Sequence, residues 1–254
     1  MDVCFFLKSY PTKAIQALDW PGDVKLIGVD PPSGMMCGGS DPRCSSAYSA
    51  MANWLRDGDG RILPNFLAHY AKGVSVDRVS LAGFSAAHGF LNPLGKHPAD
   101  VADISAVLLL DATFGGGKTG YVEFGNAAVE GDMLLATTTS NTGGDDAWQP
   151  VWQNIIDATG ATPKQVDARE PMPEPSGGVW QLGRSLLWYR FVDDRGKTEL
   201  PHWEMGKILP DFLSATLIPY WEGKLGGGFP WGPIAGAAIA AGGAYAAWRL
   251  MKAR

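Results

Sequence analysis

Positive charge, cysteine and histidine are all scarce in this chain. Its 254 residues hold 21 Lys and Arg against 26 Asp and Glu, a net charge of -5. That leaves no basic footprint of the kind that neutralises phosphates, so nucleic acid is not expected as a partner. Cys4, Cys37 and Cys44 are an odd number. The segment CGGSDPRC would close a small loop if oxidised, yet three thiols in a chain of this length fix no redox compartment. No paired Cys/His spacing typical of zinc and no Walker or dinucleotide fingerprint is read, so neither a metal nor a cofactor is expected. There is no internal repeat. The N-terminus, MDVCFFLKSYPTKAI, lacks a basic region and a small-residue cleavage site and does not read as a signal peptide.

Apolar residues make up 46% of the chain, enough to bury one large core or two small ones. The simplest partition is one domain over 1–224 and an appendage over 225–254. From 226 to 248 there is no charged residue, whereas the last six, RLMKAR, hold three basic groups and no acid. From Pro233 this Gly/Ala-rich stretch could run as a helix of about 20 residues, enough for a tilted span of roughly 30 Å of hydrocarbon. Trp231, Tyr245 and Trp248 suit membrane interfaces, and Gly232, Gly236 and Ala240 have the small-xxx-small spacing that lets two helices approach as a homo-oligomer. A C-terminal hydrophobic helix serving as a membrane anchor is therefore expected. The alternative is a terminal segment packed on the body or partly disordered, in a soluble cytoplasmic protein.

Short apolar runs alternate with helical patterns, which predicts an α/β fold: a mostly parallel central sheet flanked by helices in three layers. Strands are expected at 3–8, 24–29, 78–82, 106–110, 133–138 and 185–192. Helices are expected near 13–18, 41–56 and 62–72, with a further one after the third strand that Pro93 limits. DAREPMPEPSGG, 167–178, has the proline and charge density of an exposed loop.

RVSLAGFSAAHGF, 78–90, sets a serine between small residues where a strand gives way to a helix. Small neighbours permit a strained turn that lifts the hydroxyl above the carboxyl edge of the sheet, with the Ala86 amide and the helix N-terminus facing developing negative charge. GFSAAHG, 83–89, resembles the nucleophile elbow of the α/β-hydrolase superfamily, with Ala87 in place of the final glycine of G-x-S-x-G. The resemblance spans about residues 3–222 and is sharp only at the elbow and around His202. The superfamily's first two strands are not read, which implies a reduced sheet of about six strands.

The same resemblance implies the chain order Ser, acid, His. His202, in TELPHWEM, follows the expected last strand and precedes an apolar helical segment, the place of the general base. His69 reads as a helix residue, His97 as a loop residue, and His88 as packing on the elbow helix. Two positions compete for the acid. Asp111 ends an apolar strand in LLLDATFGG; Asp145 or Asp146 follows the next strand but also suits an N-cap for a helix starting near Ala147. Asp111 is preferred narrowly. Asp193 and Asp194 fit a tight turn. The implied oxyanion donors are the amides of Ala86 and of Ser9 or Tyr10, and Phe84, Met35 and Met36 are candidates to line an acyl pocket. Two functions follow. One is a serine esterase or lipase-like enzyme acting on a small-molecule or lipid acyl substrate through an acyl-enzyme, without cofactor. The other is a non-catalytic, membrane-associated structural or binding protein on the same fold.

Overall fold

The computed structural model describes residues 1–8, 12–32, 45–113, 119–140, 144–192 and 200–225. Its strands are β1 (Asp2–Leu7), β2 (Val24–Val29), β3 (Arg78–Phe84), β4 (Ala106–Leu110), β5 (Leu134–Thr139), β6 (Lys164–Val166), β7 (Val179–Leu182) and β8 (Leu186–Arg190). They form one eight-stranded sheet in the order β2-β1-β3-β4-β5-β8-β7-β6. All neighbours from β2 across to β8 pair in parallel, and β7 runs antiparallel to both β8 and β6. The connecting helices are α1 (Lys13–Gln16), α2 (Ser45–Trp54), α3 (Leu63–Tyr70), α4 (His88–Gly95), α5 (Pro98–Ala102), α6 (Thr119–Glu130) and α7 (Gly144–Thr159). The closing stretch begins as a 3-10 turn over His202–Ile208 and continues as α8 (Leu209–Phe212). It widens to a π turn over Leu213–Leu217 and ends in α9 (Ile218–Trp221).

Strand alternation sorts the apolar side chains onto two faces. Val3, Phe5 and Leu7 of β1 join Val107 and Leu109 of β4 in a core roofed by α2, α3, α4, α6 and α7, where Tyr48, Phe66, Phe90, Phe124 and Trp148 are buried. Cys4 and Phe6 point the other way, with Leu108 and Leu110, and meet Ile15 of α1 and the closing stretch through Leu209, Phe212, Leu213 and Trp221. Burying each large side chain stabilises the fold by roughly 1.5–3 kcal/mol. The result is a three-layer arrangement around a mostly parallel sheet, compatible with an α/β-hydrolase-like fold.

The sheet is larger than the six strands expected from the sequence. The two additions, β6 and β7, are an antiparallel extension at the β8 edge, and the proline-rich loop at 167–178 is their connection. That loop is mostly exposed, as expected, but seats Met172 in the second core. Pro93 does not end α4, which runs two residues further to Gly95. The expected 225–254 helix and its paired form lie outside the described residues, save Leu225. Among the described residues no helix is long and apolar enough to cross a membrane.

Candidate functional site

The topology opens a crevice at one place. From β1 the chain moves outward to β2, then crosses back to β3 on the other side of β1. At such a switch point the connections leave in opposite directions, and a cleft opens outside the carboxyl ends of the two central strands. Leu7 of β1 is in register with Gly83 of β3, so the residues just beyond them, Lys8 and Ser85, border that cleft.

The elbow is tight for reasons visible in its residues. A Cβ on Gly83 would lie 2.6 Å from Leu91 Cδ1 and 2.8 Å from the Ala87 Cβ. With Leu91 and Ala87 this close, position 83 has no room for a side chain. Phe84 is extended, Ser85 turns to φ +52°, and a 3-10 turn over Ser85–Ala87 leads into α4. A left-handed conformation costs a non-glycine residue about 1–2 kcal/mol. Among the described residues the non-glycine positions that adopt it are Lys8 (φ 58°), Ser85 (φ 52°) and Asp111 (φ 45°), and all three converge on this cleft. Strain of this kind persists only where surrounding contacts impose it, and it concentrates at functional sites.

The three side chains brought together by that backbone are linked by hydrogen bonds. His202 Nε2 lies 2.9 Å from Ser85 Oγ, and His202 Nδ1 lies 2.7 Å from Asp111 Oδ2. Asp111 is fully buried and His202 about one-quarter exposed. The buried carboxylate is also held by Ser140, whose backbone N–H donates to Oδ1 at 3.0 Å and whose hydroxyl donates to Oδ2, the oxygen that faces His202. The Asp111 N–H in turn donates to Thr138 O at 2.9 Å, which ties the strand ends of β4 and β5 together beneath the site. A carboxylate fixed in this way makes Nδ1 the protonated ring nitrogen and leaves Nε2 to accept the serine proton. Phe84 stacks on the imidazole, with centroids 5.0 Å apart and planes at 21°, so its ring backs His202.

The competing acids have other partners. Asp145 is buried and paired with Arg190 at 3.0 Å. It also accepts from Thr139 Oγ1 at 3.0 Å, and Trp188 Nε1 donates to that hydroxyl at 2.8 Å. Asp146 is exposed in the first turn of α7, so it is not the carboxylate on His202. That helix starts at Gly144, ahead of the start expected near Ala147, which places both acids inside its first turn. His88 sets Nδ1 3.0 Å from Ser85 O, against the backbone of the serine. His69 sits on α3 edge-on to Trp54, and His97 precedes α5. Ala86 is buried in the 3-10 turn after Ser85, where its N–H has no partner within the turn itself. Ser9, Tyr10, Met35, Met36, Asp193 and Asp194 lie outside the described residues.

Two contributors were not singled out from the sequence. Ser140 is one: a polar residue closing the β5 run LLATTT was the available signal. Lys8 is the other, its Nζ 3.2 Å from Ser85 Oγ and its N–H donating to Tyr48 Oη at 2.6 Å. A cation directly after the apolar strand VCFFL was the signal there. The chain beyond Asp111 reads ATFGGGKT over 112–119, which departs from a phosphate-binding loop, G-x-x-x-x-G-K-[ST], only in its first residue. It joins a strand to a helix as such loops do, but residues 114–118 lie outside the described set and Asp111 before it is committed to His202. Among the described residues no three His, Cys, Asp or Glu side chains cluster as metal ligands. No protein-family model, curated protein or solved structure matches the chain.

Proposed function

We propose that this protein is a serine hydrolase that cleaves an acyl ester, in the manner of a carboxylesterase or lipase, on a small-molecule or lipid substrate. The observation that carries the reading is the hydrogen-bonded chain Ser85–His202–Asp111, with a strained serine at a strand-to-helix turn. Ser85 Oγ attacks the acyl carbon while His202 Nε2 takes its proton, the carbonyl electron pair moving onto oxygen. The Ala86 amide meets that oxygen. His202 then gives the proton to the leaving alkoxide as the ester C–O bond breaks, and a water activated by the same imidazole releases the acyl group from Ser85. Asp111 keeps the imidazole oriented and offsets its charge while it holds two protons. Positioned proton transfer of this kind contributes about 10²- to 10⁴-fold, and an oxyanion donor about 10²- to 10³-fold.

Labelling with a fluorophosphonate tests this directly, comparing wild type with Ser85→Ala, His202→Ala, Asp111→Asn and Asp146→Asn, each checked for folding by circular dichroism. The expected pattern is no label on the Ser85 variant, sharply slowed labelling of the His202 and Asp111 variants, and a wild-type rate for Asp146→Asn. A folded wild type that takes no label would sink the enzyme reading in favour of a non-catalytic binding or structural protein.

A further inference from the structure

Resting on the hydrolase reading, we propose that the Lys8 ammonium is a catalytic group of the site: a side-chain donor that stabilises the oxyanion formed when Ser85 attacks. The position expected to supply this donor is the chain just beyond β1, and an amide would be the usual source. The Lys8 amide is engaged elsewhere, donating to Tyr48 Oη at 2.6 Å, and Tyr48 is fully buried and itself donates to Val29 O at 3.0 Å. The left-handed φ of Lys8 reverses the chain at this point, and its side chain comes back over the cleft. Nζ stands 3.2 Å from Ser85 Oγ and 5.7 Å from the centroid of the Phe84 ring, the same ring that backs His202.

The hydrogen-bond directions then run one way. Lys8 Nζ–H donates to Ser85 Oγ, Ser85 O–H donates to His202 Nε2, and His202 Nδ1–H donates to Asp111. When Oγ becomes the bridging oxygen of the tetrahedral intermediate, the new oxyanion lies about 2.3 Å from it on the same carbon, from ordinary bond lengths and angles. An ammonium already within hydrogen-bond distance of Oγ reaches that oxygen by a small rotation of its flexible stem. Proton balance is unaffected. The serine proton goes to His202 and on to the leaving alkoxide, while Lys8 keeps its own protons throughout and lends only charge and a hydrogen bond. The contact is absent from a neutral, unattacked carbonyl at its full strength, so its loss falls on kcat more than on KM.

The test uses the full-length protein and p-nitrophenyl acetate. Lys8→Met keeps an unbranched stem of similar length and removes the charge; kcat is expected to fall about 100-fold with KM within about twofold, at an unchanged circular dichroism spectrum and melting temperature. Lys8→Cys is expected to be equally slow. Treating it with 2-bromoethylamine, which installs an ammonium at nearly the same reach, is expected to restore most of kcat, with identically treated wild type as the reference. Rescue at an unchanged circular dichroism spectrum and melting temperature would show that turnover needs the ammonium itself and not the stem. If Ser85 labels and wild type turns over while Lys8→Met retains wild-type kcat, the lysine assignment falls and the hydrolase reading stands. The assignment also falls if the aminoethylated variant stays as slow as its parent. If folded wild type neither labels nor hydrolyses the ester, both fall together.

Discussion

Ser85 shows how a single residue bears a conformational cost for the sake of its position. Its φ of +52° is one that an L side chain adopts at a loss of about 1–2 kcal/mol, while glycine adopts it freely. Replacing the serine by alanine or by glycine removes the same hydroxyl and the same bonds to His202 and Lys8. Only the alanine retains the strained Cβ. Ser85→Gly is therefore expected to unfold at higher urea than Ser85→Ala, by about 1 kcal/mol; equal stabilities would mean that the turn relaxes when the hydroxyl is lost. The acids are separable by the same reasoning. Asp111→Asn leaves an amide against His202 Nδ1 and is expected to slow turnover by about 10³-fold or more, as the imidazole loses its fixed tautomer. Asp145→Asn removes the negative charge from the buried pair with Arg190 and puts an amide N–H₂ where one carboxylate oxygen accepted from that guanidinium, so it is expected to cost about 3 kcal/mol of stability in urea titration. The sequence could offer Asp111 and Asp146 as rivals because both follow apolar strands. What separates them is the set of partners across the sheet, Ser140 and His202 for one and open solvent for the other, and a linear chain does not display partners.

Elements were legible where their own residues carried the pattern. VKLIGV and AVLLL are bounded apolar runs, and the observed strands Val24–Val29 and Ala106–Leu110 match the expected ones. β6 carries no such pattern: KQV is three residues long and mostly exposed, and it is a strand only because β7 is beside it. β7, VWQL, is only one residue longer and follows a proline-rich loop. α6 was unread for a different reason. TGYVEFGNAAVE has two glycines and two valines, poor helix formers, and its stability comes from burying Tyr121 and Phe124. Glycine there and in α4 serves close packing. A Cβ on Gly89 would lie 2.1 Å from the Ser45 carbonyl oxygen, so α2 and α4 touch through backbone at that point. Gly89→Ala must push the two helices apart, and because α4 carries the elbow, a loss of about 3 kcal/mol is expected together with a fall in labelling of Ser85. A variant as stable as wild type in urea would show that the contact is looser than its geometry.

At the scale of the whole molecule, the parallel strands give the body two unlike edges. Ser85, Lys8 and Asp111 lie beyond the carboxyl ends of β3, β1 and β4. The chain reaches its last described residues at the other edge, where Tyr220, Trp221, Glu222 and Gly223 line one cleft with Arg78, Ser105 and Asp132, residues that begin or precede β3, β4 and β5. β3 has seven residues, so the two edges stand about 20 Å apart at roughly 3.3 Å per residue. A tether following Leu225 would therefore attach on the side remote from the serine. This bears on the apolar, basic-ended sequence at 226–254, whose lysine and arginines would favour an anionic surface. If that segment holds the protein to a bilayer, the cleft faces the water and not the lipid. Full-length protein is then expected to sediment with vesicles of anionic phospholipid while a chain ending at Leu225 remains in the supernatant. Both are expected to hydrolyse a water-soluble ester with equal kcat/KM, with or without vesicles. An ester embedded in the same bilayer should gain nothing from the tether. Faster cleavage of the embedded ester by the full-length chain alone would mean that the carboxyl edge meets the membrane, and the opposition of tether and site would have to be abandoned.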